Sequence, residues 1–169
     1  MLLLLVSILG KEWEKPGYLR GLLVKWFDWS RGGVTGQLSI FDRFVFRWIA
    51  FEAWCSNTSR KNTGFKKWVK RSAMKDKFRN KRIHAAIKNH LDQLVGQQIP
   101  NRLGGKPKIL TNSNNFEQLI DVLFQIRNNL FHGHKSPDDR EDKTLVGAAY
   151  GILGGLLDPF VDELRENSS

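Results

Sequence analysis

The run Arg127-Asn128-Asn129-Leu130-Phe131-His132, followed by Gly133 and His134, holds the residue types best suited to chemistry in this chain. Arg127 is a fixed cation with a planar fork of donors. His132, five positions on, is an imidazole that can give or take a proton near neutral pH. Together they can hold a phosphodiester and move a proton beside it. Asn128 and His132 are four apart and share a helical face. Arg127 and His132, by contrast, diverge by about 140° around a helix axis. One helix cannot easily aim both at one phosphate, whereas two copies packed about a two-fold axis can supply them to a composite site. The spacing therefore predicts a homodimer.

The helix that carries these residues is expected to run from Asn115 to about Phe131, with Asn114 and Glu117 as an N-cap arrangement. On a helical wheel Phe116, Leu119, Ile120, Leu123, Ile126 and Leu130 form one apolar stripe, and Arg127 falls inside it. A second amphipathic helix, Leu38 to Cys55, has Phe41, Phe44, Val45, Trp48, Ile49 and Cys55 on one side and places Glu52 among them. An unpaired charge in an apolar stripe costs several kcal/mol, on the order of a buried ion. An Arg127–Glu52 ion pair between the two helices resolves both charges and would lock the guanidinium with donors left over for a phosphate.

The remaining chain organises around these two helices. Residues 1–33 read as an apolar, Trp-rich extension with a short helix from about Tyr18 to Trp29, and residues 34–166 as the main helical domain. A basic helix or pair of helices is expected from about Gly64 to Val95. Gly96 to Asn114, with Pro100, Gly104-Gly105 and Pro107, reads as a long loop. Ser136-Pro137-Asp138-Asp139 has the signals of a helix start, and a last helix should continue to about Leu164. Gly147, Gly151 and Gly155 recur every four residues along it, which predicts close approach of another helix. No alternating strand pattern of useful length is present. The fold class is all-α, a four- to five-helix up-and-down bundle with a short N-terminal helical extension.

Composition sets the partners. The 169 residues carry a net charge of +10, with 41% hydrophobic and 26% charged residues, as in an ordinary globular protein. Between Arg60 and Arg82 there are eleven Lys or Arg against one acid, Asp76, and the rest of the chain has sixteen of each sign. In that block Lys66, Lys67, Lys70, Arg71, Lys75, Lys77, Arg79, Lys81 and Arg82 offer phosphate contacts, and Phe65, Trp68 and Phe78 either stack on unpaired bases or belong to the core. A nucleic acid, single-stranded where unpaired bases are stacked, is the expected partner. A single cysteine, Cys55, excludes an internal disulfide and fits a reducing, cytoplasmic setting. No Cys/His set has zinc spacing, so no metal and no cofactor are expected. The apolar starts at Met1–Leu9 and Leu145–Leu157 are too short to span a bilayer. Peripheral membrane contact through Trp13, Trp26 and Trp29 is a weaker alternative.

Two segments also carry a family likeness. Phe41-Asp-Arg-Phe-Val-Phe-Arg-Trp-Ile-Ala-Phe-Glu52 resembles the aromatic-rich early helix of HEPN domains. Gln125-Ile-Arg-Asn-Asn-Leu-Phe-His-Gly133 resembles the Arg–His helix of the Apea-like HEPN group. The likeness spans about residues 34–166 and does not explain the extension or the basic block. It implies dimerisation through the motif helices and metal-independent cleavage of RNA by attack of a ribose 2′-hydroxyl on the adjacent phosphate. By position, Arg127 would stabilise the phosphorane charge, His132 would act as general acid or base, and Asn128 would orient them, with Glu52 locking Arg127. A toxin or phage-defence effector with an antitoxin or defence partner protein is the implied setting. Toxins of this family paired with nucleotidyltransferases usually carry Tyr two residues after the His; here that place is His134, which is either a further proton carrier or RNA contact, or a polar loop residue. The family also includes bundles with no activity, so a non-catalytic module binding RNA, a nucleotide or a partner protein is the alternative reading.

Overall fold

The computed structural model describes residues 16–31, 38–58, 69, 73–102, 104–132 and 138–166. Among the described residues six helices follow in order: α1 (Pro16–Ser30), α2 (Ile40–Thr58), α3 (Ala73–Arg79), α4 (Lys81–Leu94), α5 (Phe116–Phe131) and α6 (Arg140–Glu166). The molecule is an all-α bundle. A two-stranded ribbon, β1 (Gln98–Ile99) and β2 (Lys108–Ile109), lies between α4 and α5. Lys66, Lys67, Lys70, Arg71, Cys55's side chain, Gly133 and His134 lie outside what is described.

The long apolar helix α6 organises the bundle, because it touches each of the other five helices. It is long and apolar enough to cross a membrane by length and composition, yet Ile152, Leu153, Leu156 and Leu157 are fully buried inside the protein. The predicted close approach along its glycines is present at two of the three positions. A β-carbon at Gly151 would run into the His90 ring of α4, and one at Gly155 into Ile87. At Gly147 the nearest neighbour, Ile40, is at ordinary van der Waals distance.

The described part of the N-terminal segment is built into this core. Leu23 and Phe27 of α1 are fully buried, and α1 packs along α2 and against α6. Tyr150 Oη donates to the Ser30 carbonyl at 3.0 Å. Arg31 pairs with Asp158 at 2.5 Å, and Arg165 pairs with Asp28. Such exposed pairs contribute little to stability, roughly 0–1 kcal/mol each, so the buried aromatic contact holds α1 in place.

Two sequence expectations need correction. The segment Gly96–Asn114 is not a plain loop: Gln98 pairs with Ile109 and Ile99 with Lys108 in antiparallel register. Gly104 and Gly105, at φ of 94° and 106°, turn the chain between the strands in a backbone region that glycine tolerates. Two-residue strands carry no readable period. The N-cap of α5 is Asn115, whose Oδ1 accepts from the Gln118 N–H at 3.0 Å. Asn114 lies one residue before the cap and donates its N–H to Asn112 Oδ1 at 2.8 Å in an Asx turn.

Candidate active site

The last two turns of α5 hold the candidate site. Arg127 reaches across to Glu52 of α2, Nη2 to Oε1 at 3.5 Å, so the expected pair between apolar stripes is present. It is long for a charge-assisted hydrogen bond. The Glu52 side chain is 12% exposed and Arg127 28%, so the pair sits just beneath the surface. Trp48, one turn before Glu52, donates its indole N–H to the same Oε1 at 2.7 Å. Phe124 of α5 packs edge-on against the Trp48 ring at 5.0 Å, which fixes the spacing of α2 and α5 here.

Arg127 is a hub. Its Nη1 donates to Asn128 Oδ1 at 3.1 Å, and the guanidinium lies over the Phe131 ring at 4.5 Å. Arg127 Nε and Glu52 Oε2 are buried with no hydrogen-bond partner among the described residues. Burial pushes the Glu52 carboxyl above its ordinary value, against the opposing pull of the Trp48 hydrogen bond and the Arg127 charge.

His132 caps α5 at its C-terminal end, with its backbone N–H on the Asn128 and Leu130 carbonyls, and is exposed. One chain therefore gathers Glu52, Arg127 and Asn128 into a hydrogen-bonded cluster and leaves the imidazole outside it. Asn128 is half-buried.

Of the basic block, Lys75, Lys77, Arg79, Lys81 and Arg82 are described. Arg79, Lys81 and Arg82 are exposed. Lys75 pairs with Glu117 at 3.3 Å, and Lys77 leans over the Phe160 ring of α6 at 5.4 Å. Phe78 is 2% exposed and packs on Phe116 at 5.3 Å. It belongs to the core and offers no face for a base.

Two buried polar residues escaped the sequence reading. Asn129 is fully buried. Its Nδ2 donates to the Pro100 carbonyl at 2.8 Å, and its Oδ1 accepts from Gln125 Nε2 at 3.0 Å and from the Arg102 N–H at 3.4 Å. It ties the ribbon to α5 within one turn of His132. The available signal was the i,i+4 spacing of two amides, Gln125 and Asn129. Asn129→Leu leaves those ribbon groups unsatisfied and is expected to cost about 1–3 kcal/mol; chemical denaturation reads the loss, and hydrogen exchange should quicken across residues 98–109.

Arg47 is the other. It is 5% exposed, with Nε donating to Ser30 Oγ at 3.1 Å and Nη1 to the Tyr150 carbonyl at 3.0 Å. The guanidinium stacks on the Tyr150 ring at 3.7 Å and packs against Gly154. Burial brings its pKa down to about 10, so it stays charged at neutral pH. Its contacts pin α1, α2 and α6 together and point away from the site.

Compared with protein-family models, curated proteins and solved structures, the chain matches none of them.

Proposed function

We propose that this protein is a metal-independent endoribonuclease of HEPN type that cleaves single-stranded RNA at a site shared by two copies of the chain. The supporting observation is the Glu52–Arg127–Asn128 cluster, just below the surface of the helix whose end presents His132. In the reaction the 2′-hydroxyl oxygen attacks the adjacent phosphorus, and the P–O5′ bond breaks. The hydroxyl proton passes to a base, and the departing O5′ takes up a proton. The products are a 2′,3′-cyclic phosphate and a 5′-hydroxyl. Arg127, held by Glu52, donates to the non-bridging oxygens as negative charge builds there. His132 carries a proton on or off, and Asn128 keeps the guanidinium oriented. Because Arg127 and His132 diverge around α5, the imidazole acting on a phosphate held by one chain comes from the other.

A cytoplasmic toxin or defence effector, restrained by a partner protein, is the setting that fits such an activity. A second reading has support in one contact: both terminal nitrogens of Arg127 already have partners inside the chain, Glu52 and Asn128. A binding module that holds RNA without cutting it would use the same bundle.

The deciding assay incubates the full chain with single-stranded RNA in EDTA. Fragments ending in 2′,3′-cyclic phosphate are expected. RNA that is bound yet remains whole would favour the binding module and overturn the nuclease.

A further inference from the structure

The end of α5 opposite His132 carries a second feature. Sixteen residues at 1.5 Å each set the two ends about 24 Å apart. At the N-terminal end, two adjoining clefts of about 370 and 440 Å³ share Phe78, Arg79 and Asn114. Phe78 forms their floor, braced by Phe116 and by the His84 ring at 5.2 Å. Lys75, Arg79, Lys81 and Lys88 supply cations to the walls, and Asn112 and Asn114 supply amides.

The charge balance of this groove is one-sided. Glu117 is the only carboxylate among the lining residues, and it is spent on Lys75 at 3.3 Å. Lys88 pairs with Asp92 one turn along α4. Arg79 and Lys81 have no carboxylate partner among the described residues. A concave surface with unmatched cations and neutral amides suits phosphate groups. Phe78 in the floor is 2% exposed, and the half-buried His84 packed edge-on against it is the one ring partly open to the cleft, which favours recognition of a backbone over a stacked mononucleotide.

We infer that this double cleft holds the phosphate backbone of single-stranded RNA at a distance from the cleavage site, with the Glu117 carboxylate standing where a phosphate would sit and competing for Lys75. The identity of the strand rests on the ribonuclease reading; the anion site does not. At about 3.4 Å per stacked nucleotide, 24 Å corresponds to roughly seven nucleotides between the two sites, so long strands engage both and short ones do not.

The test measures anisotropy of a labelled 16-nucleotide oligouridylate on the full chain, in a His132→Ala background so that the strand stays whole. Arg79→Ala/Lys81→Ala is expected to weaken binding about tenfold and to flatten the slope of log affinity against log salt by about 1.4, two single-strand phosphate contacts. Glu117→Gln is expected to tighten binding by roughly two- to fivefold, an opposite sign that a misfolded variant would not give. A four-nucleotide strand, too short to reach both sites, should bind more weakly than the 16-nucleotide one. Unaltered affinity and slope in the double variant would overturn the cleft, even if the wild type cuts RNA. AMP displacing the long strand from the cleft as readily as RNA does would assign it to free nucleotides and overturn the strand reading. Uncut RNA in the wild-type assay, with the salt slopes as expected, would instead overturn the nuclease and leave the cleft standing.

Discussion

His132→Ala is expected to slow RNA cleavage by about 10²- to 10⁴-fold, the usual worth of a positioned proton carrier, while the fold and RNA affinity persist. The imidazole is exposed at the end of α5, and the capping bonds there belong to the backbone, so its removal leaves packing intact. The same variant tests the shared site. Arg127→Lys keeps a charge for Glu52 but loses the fork that grips a phosphate, and should also be nearly inactive. Mixed in equal amounts after unfolding and refolding, the two inactive chains form mixed dimers in about half of cases. Each mixed dimer has one site with both groups intact, so about a quarter of wild-type activity should return. No recovery, with dimers demonstrated, would place Arg127 and His132 in one chain's site.

Arg127→Leu should lower stability by about 2 kcal/mol, below the 3–5 kcal/mol typical of breaking a fully buried pair because the contact is long and Arg127 is partly solvated. The loss arises from a buried carboxylate left with the Trp48 indole N–H and no opposing charge, so Glu52→Gln in the same chain should restore most of it. The dependence on pH has a definite sign. Burial raises the folded-state pKa of Glu52 above its ordinary value of 4.5. The folded chain then binds this proton more tightly than the unfolded one, and stability falls as pH climbs from 4.5 through the raised value. Removing Arg127 takes away a force that lowers that pKa, which widens the window upward. The deficit of Arg127→Leu should therefore be smaller near about pH 5 than near about pH 8, as urea midpoints at the two conditions would report. Equal deficits would mean that Glu52 does not sense the guanidinium.

The positions that carry these predictions were largely readable in the sequence, since two charges inside two apolar stripes have few ways to be satisfied. Asn129 and Arg47 were not, for a common reason. On the wheel of α5, Gln125 and Asn129 stand at about 180° and 220° from Phe116, on the face away from the apolar stripe. That face is buried only because the ribbon folds over it, and strands of two residues leave no periodic trace. Arg47 similarly lies on the side of α2 away from Glu52 and Trp48. Its cover comes from α1 and α6, and a segment that reads as an appended extension gives no hint that it roofs a core. Phe78 shows the converse. Its setting among lysines left a base-stacking ring and a core residue both open, and Phe116, nearly forty residues further on, claims it for the interior.

The dependence of Arg47 on Tyr150 also orders events during synthesis. The two are 103 residues apart, roughly 5 to 20 seconds of translation at 5–20 residues per second. Throughout that delay α1 and α2 can pair, with Phe27 of α1 covering one side of the guanidinium at 4.9 Å, but the Tyr150 ring that stacks on it at 3.7 Å has yet to be made. The bundle closes only when its final helix emerges, so until then the apolar faces of α1 and α2 that α6 covers stay open to water.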